Sequence, residues 1–165
     1  MKTDKSLLVY NGLPQRNFLN DLLQPFCKNV FLSCRKDQVS TLTNFQVISD
    51  NYENAGPLGA LLTAFEKDLS SAWLVVACDM PFIKHEAVEF LVQHRNPSKN
   101  ATAFLNPENQ FLEPLFTIWE PSAYSFLKTA YDKGQRSPMR VLQQLDCESL
   151  LPNDNKWLLN VNSHS

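Results

Sequence analysis

Glycine is scarce in this sequence: Gly12, Gly56, Gly59 and Gly134 are the four among 165 residues, where ordinary usage of about 7% would give roughly 12. No two are spaced as G-x-G, G-x-x-x-x-G-K or G-x-S-x-G. The sequence as given therefore spells no self-contained Rossmann fingerprint, Walker loop or nucleophile elbow. An excess of one charge is also missing, since 15 basic and 17 acidic residues leave a formal charge of −2. That balance excludes a protein whose affinity comes from neutralising a phosphate backbone, and no nucleic-acid partner is expected. The four cysteines (Cys27, Cys34, Cys78, Cys147) form no C-x-x-C pair, and His85, His94 and His164 are not grouped with them. Neither a zinc site nor a disulfide framework is spelled out, so reduced thiols and a cytoplasmic location are expected. The longest apolar run, Trp73 to Cys78, is far below the ~20 residues of a membrane span, and no membrane partner is expected.

What is present is a chain 44% apolar, large enough to bury a core, and residues 1–165 are expected to form one domain. Apolar spacing predicts a helix through Phe18, Leu19, Leu22, Leu23 and Phe26, stopping near Pro25. NVFLSC (29–34) and QVIS (46–49) read as strands. Leu58, Leu61, Leu62, Phe65 and Leu69 mark a second helix, with Pro57 at its first turn. WLVVAC (73–78) is apolar without alternation, which predicts a strand covered on both faces. A helix is expected over 84–94. Two strands flanking Asn-Pro-Glu-Asn-Gln (106–110) predict a hairpin or a long loop between strands, with Pro114 at an edge or a bulge. Helices over 121–131 and 137–145 and a terminal strand over 156–161 complete the reading. Strands alternating with helices, then a later hairpin, indicate an α/β fold with a mostly parallel sheet.

In such sheets ligands sit outside the carboxyl ends of the strands. Asp79 ends the most apolar strand, in A-C-D-M-P-F. A carboxylate there either holds Mg²⁺, which takes one or two protein carboxylates and completes its shell with water and phosphate, or caps the next helix or starts the turn before Pro81. Asp50 follows QVIS and leads into A-G-P-L-G-A, where it is either a solvated loop residue or part of a site. Gly56, Pro57 and Gly59 stand at a helix amino terminus, whose N–H groups attract an anion, although Gly-Pro also serves as simple punctuation. Asn160 and Asn162 flank one apolar residue. If a strand continues there, alternation points both amides to one face; otherwise they belong to a frayed terminus. Lys5, ahead of the first apolar run, is either a solvated charge or a phosphate partner.

Taken in order, M-K-T-D-K-S-L-L-V-Y-N-G-L-P, A-G-P-L-G-A-L-L, L-V-V-A-C-D-M-P-F-I, E-P-L-F-T-I-W, G-Q-R-S-P-M-R-V-L and N-V-N resemble the ordered motifs of molybdenum cofactor guanylyltransferases. The resemblance runs over essentially the whole chain. It implies a Rossmann-like, three-layer α/β/α nucleotidyltransferase fold and transfer of GMP from GTP to molybdopterin with Mg²⁺, or with Mn²⁺ in its place. It also implies residue roles. Lys5 matches the phosphate-contacting lysine and Asp79 the catalytic aspartate that binds the metal and GTP. Asp50 matches a nucleotide-contacting aspartate, and Ser33 falls where some members carry a nucleotide-contacting asparagine. Asn160 and Asn162 match the N-x-N on the pterin side. The family's opening motif resembles L-A-G-G-x-S-x-R-M-G-x-D-K, and this sequence begins at its methionine, with Lys2 in place of glycine. The chain is therefore expected to lack the family's amino-terminal strand and glycine-rich loop. Cytidylyl transfer, sugar-phosphate nucleotidyl transfer and non-catalytic cofactor binding are the alternatives. Other cofactor-synthesis proteins and molybdoenzymes are further expected partners.

Overall fold

Apolar stripes at helical spacing and short β-branched runs fold as the sequence predicts through most of the chain. The computed structural model describes residues 5–161. After a 3-10 turn at Lys5–Leu7 come helix α1 (Gln15–Leu23), strand β1 (Leu32–Cys34), a 3-10 segment at Lys36–Thr41 and strand β2 (Val47–Ser49). Helix α2 (Gly56–Lys67), strand β3 (Trp73–Val76), helix α3 (His85–Gln93) and strands β4 (Ala101–Leu105) and β5 (Leu112–Trp119) follow. Helices α4 (Ala123–Asp132) and α5 (Pro138–Gln144), strand β6 (Cys147–Leu150) and a 3-10 turn at Asn155–Leu158 close the described chain.

The strands form two sheets, β1-β2 and β3-β5-β4-β6. β1 and β2 are parallel, β4 and β6 are parallel, and β5 is antiparallel to both β3 and β4. In the larger sheet β5 alone therefore runs against the other three strands. The hairpin is β4–β5, and its register slips between Ala103 and Leu105. Pro114 stands in the part of β5 opposite that slip. β5 is an interior strand, and a bulge is the one place where such a strand tolerates a residue without an N–H.

Two apolar cores lie on the two faces of the larger sheet. One joins Leu23 of α1 and Ala87, Val88 and Leu91 of α3 to Phe104, Phe116 and Ile118. The other joins Leu58, Leu62 and Phe65 of α2 with Leu127 of α4 and Leu142 of α5 to Ala101, Ala103 and Trp119. The result is a three-layer α/β/α arrangement.

One sequence expectation is corrected. No strand forms over 156–161: Trp157 and Leu158 are buried in a 3-10 turn, and the β4 edge is taken instead by β6. Pro152 and the Asn-Asp-Asn run break extended pairing before the apolar residues arrive. β3 is covered on both faces as expected, Leu74 and Val76 packing against the first core and Trp73 and Val75 against the second, yet every residue from Trp73 to Val76 is half-buried. β3 pairs with β5 on one side only, and no described strand lies on its other side.

Candidate active site

The residues after β2 and β3 are held in different ways. β2 ends at Ser49, and the Asp50 N–H donates to the Cys34 carbonyl at 2.9 Å, continuing the β1–β2 pairing by one residue. Asp50 Oδ1 then accepts the Tyr52 N–H at 2.8 Å and faces the Thr63 hydroxyl at 3.2 Å. Thr63 is a buried residue of α2, and its Oγ1 also accepts the Asn51 N–H at 3.0 Å and lies 2.9 Å from the Gly59 carbonyl. The loop and the helix are thus pinned together by one side chain.

Gly59 permits that approach. A Cβ there would meet the Ala55 and Tyr52 Cβ atoms at 2.7 and 2.8 Å. Gly56 has φ +57°, the left-handed conformation that favours glycine, and Pro57 follows at the first turn of α2. No side chain caps this end of α2, so its amino-terminal N–H groups are available to an anion. Tyr52 extends the anchoring outward: its hydroxyl donates to Glu66 Oε2, which also accepts the Tyr124 hydroxyl at 2.8 Å. Burial, reinforced by the bond to Glu66, pushes the Tyr124 phenol up to about 12.

Asp79 lies half-buried in the turn after β3. Its carbonyl accepts the Val161 N–H at 2.9 Å, which brings the last described residues to the mouth of β3. Asn11 Nδ2 donates to the Pro81 carbonyl at 3.2 Å, so the Asn-Gly turn near the amino end docks on the same C-D-M-P loop. Glu113 supplies a second carboxyl to this region. Burial raises its pKa and the Asp79 charge adds to the rise, while the bond from the Leu115 N–H to Glu113 Oε2 at 3.0 Å opposes it. Among the described residues no three His, Cys, Asp or Glu side chains cluster as a metal cage.

Sequence reasoning singled out Asp50, Asp79 and the Gly56–Gly59 turn, and the structure ties Asp50 to that turn through Thr63. Ser33 is exposed on β1 and lines the cavity between β1 and β3, as do Pro57 and Cys78. Lys5 begins the first 3-10 turn. Asn160 follows the 3-10 turn at Asn155–Leu158 in irregular chain, so no strand alternation places its side chain; Asn162 lies outside the described residues. Thr63, Glu113 and Asn11 were not singled out from sequence. Glu113 had a local signal in Glu-Pro inside a strand, and the other two had none.

A family model for the MobA-like NTP transferase domain matches residues 1–149. The chain belongs to the MobA-like NTP transferase family. A bifunctional molybdenum cofactor biosynthesis protein of Synechocystis is 33% identical over 165 residues, covering 99% of this chain and 48% of that protein. The chain thus spans about half the length of that relative. A molybdenum cofactor guanylyltransferase of Pseudomonas aeruginosa is 28% identical over 149 residues, 89% of this chain and 75% of that protein. Among solved structures, molybdopterin-guanine dinucleotide biosynthesis protein A of Archaeoglobus fulgidus superposes with a TM-score of 0.79 at 21% identity, covering 98% of this chain and 86% of that one. A 2-C-methyl-D-erythritol 4-phosphate cytidylyltransferase of Thermus thermophilus shares the fold at a TM-score of 0.63 and 12% identity, with 92% and 85% coverage. This MobA-like chain thus has the fold of the nucleotidyltransferases. Among the described residues no helix is long and apolar enough to cross a membrane.

Proposed function

We propose that this chain carries the nucleotidyl-transfer centre of a molybdenum cofactor guanylyltransferase, moving GMP from GTP to molybdopterin. A phosphate oxygen of molybdopterin forms a bond to the α-phosphorus of GTP. The bond from that phosphorus to the bridging oxygen breaks, and pyrophosphate leaves with the electron pair. A phosphate nucleophile needs no general base, so the protein's work is positioning and charge compensation. The observation that carries the reading is Asp79 in the turn after β3, with the Glu113 carboxyl near enough for the Asp79 charge to raise its pKa.

That donor set fits Mg²⁺, which takes one or two carboxylates. Asp79 would hold the ion, and Mn²⁺ suits the same oxygens. When bound, the ion offsets negative charge on the nucleotide phosphates. Asp50, fixed by Tyr52 N–H and Thr63, offers a carboxylate oriented before the nucleotide arrives, and the uncapped end of α2 offers N–H groups to phosphate. Lys5 is assigned to the phosphates, Ser33 to the nucleotide, and Asn160 and Asn162 to the pterin side.

Pyrophosphate release from the purified chain with Mg²⁺ and molybdopterin tests this reading when GTP, CTP and CTP with a sugar phosphate are compared. GTP-dependent release supports it. Release with CTP alone would make the chain a cytidylyltransferase, and nucleotide or cofactor binding without release would make it a non-catalytic relative.

A further inference from the structure

The hairpin between β4 and β5 brings an exposed ring close to the candidate site. β3 and β5 pair Val75 with Thr117 and Val76 with Phe116, and the Ala77 N–H continues the pairing by donating to the Leu115 carbonyl at 2.9 Å. Counted on, that register sets Asp79 opposite Glu113, in accord with the action of the Asp79 charge on the Glu113 carboxyl. Phe111 lies two residues before Glu113, about 7 Å along an extended strand. The Asn106 N–H donates to the Phe111 carbonyl at 2.9 Å, one pair beyond Leu105–Leu112, so Phe111 still belongs to extended chain. Leu112 packs against the second core. Alternation therefore turns Phe111 and Glu113 to the opposite face, that of the first core.

The two faces of the sheet divide the site. α2, which anchors Asp50 through Thr63 and carries the uncapped amino end, packs on the second core. The first-core face delivers other groups: Trp157 and Leu158 are buried there, and the chain runs on to Val161, whose N–H donates to the Asp79 carbonyl at 2.9 Å. Asp79 stands between the two sides. With the nucleotide on the α2 side, the acceptor substrate approaches from the side of Phe111 and Glu113.

A single exposed ring is ordinary on a protein surface; the support and the place of Phe111 are not. The residue is 47% exposed. The Gln110 N–H donates to the Asn106 carbonyl at 2.8 Å, and the Phe111 N–H donates to Asn109 Oδ1 at 2.9 Å. Gln110 holds φ +64°, a left-handed conformation that a residue with a Cβ rarely adopts. The loop is thus fixed before any ligand arrives, and its ring offers a flat apolar face with little ordering cost on binding. We propose that Phe111 forms the ring subsite of the acceptor, stacking on the fused heterocycle of molybdopterin; this rests on the reading of the chain as a guanylyltransferase. One methylene separates the phosphate of that substrate from its fused rings. With the phosphate at Asp79, the rings reach the stretch of chain just before Glu113. Glu113 and Asp79 face the phosphate end, and Phe111 faces the rings.

Anaerobic calorimetric titrations with molybdopterin, and separately with GTP, on the wild type, Phe111→Ala, Phe111→Leu and Phe111→Trp test the subsite. Molybdopterin affinity should fall at least about tenfold in Phe111→Ala and in Phe111→Leu, within the range of base–aromatic stacking, and return in Phe111→Trp. GTP affinity and the urea midpoint should stay unchanged in all three variants. Molybdopterin binding that Phe111→Ala leaves unaltered would overturn the subsite while the guanylyltransferase reading stands. Full affinity in Phe111→Leu would overturn stacking, because an apolar side chain without a π face would then suffice. Equal loss of molybdopterin and GTP affinity in Phe111→Ala, or a lowered urea midpoint, would make the residue structural. No molybdopterin binding by the wild type would overturn the reading and the subsite together.

Discussion

Thr63 Oγ1 and Asp50 Oδ1 lie 3.2 Å apart, joining the carboxylate after β2 to the buried face of α2. The hydroxyl also receives the Asn51 N–H, so it fixes both the loop backbone and the side chain. Thr63→Val keeps the shape and removes the acceptor. The stranded Asn51 N–H should cost about 1–3 kcal/mol of stability. Nucleotide affinity should fall several-fold as Asp50 loses its orientation. Thr63→Ser should restore affinity, and calorimetric titration with GTP on all three proteins measures the difference.

Gly59→Ala should destabilise the chain despite the better helix propensity of alanine. The helix gain is about 1 kcal/mol. The added methyl would sit 2.7 and 2.8 Å from the Ala55 and Tyr52 Cβ atoms, which cannot swing away as side-chain ends can. Overpacking of this kind costs about 1–3 kcal/mol, so the net loss should appear as a lower urea midpoint with an unchanged slope.

Much of this architecture was legible in the sequence because α1, α2 and α3 carry an apolar stripe at helical spacing and β1 and β2 are short apolar runs. β6 was not legible: Cys-Glu-Ser-Leu contains no β-branched or aromatic residue, and its pairing is set by the open β4 edge rather than by propensity. The Trp157–Leu158 pair misled in the opposite direction, since apolar residues pack into the core from a 3-10 turn as readily as from a strand. At the candidate site, the places of Asp50 and Asp79 after strands were legible. Thr63 and Asn11 were not legible, because their contacts with Asp50 and Pro81 exist only in three dimensions.

Glu113 gives a pH signature. Burial raises its carboxyl above the ordinary 4.5, so the native chain holds this proton to higher pH than the unfolded chain does. Between those two values the folded state binds more protons, and stability falls as pH rises through the window. Glu113→Gln removes that loss while keeping an acceptor for the Leu115 N–H. Urea midpoints at pH 4 and pH 7 should show the variant gaining on the wild type at the higher pH.

Magnesium-dependent GTP binding is the most direct measure of whether the turn after β3 is a nucleotide and metal site. Calorimetric titration of GTP into the wild-type chain should show tighter binding with Mg²⁺ than without it. Asp79→Asn should weaken binding in Mg²⁺ by about 10- to 100-fold, the range for disturbing a metal site, and should abolish the difference between the two conditions. Equal affinity of wild type and Asp79→Asn in Mg²⁺, or wild-type binding that ignores the metal, would contradict the assignment of Asp79.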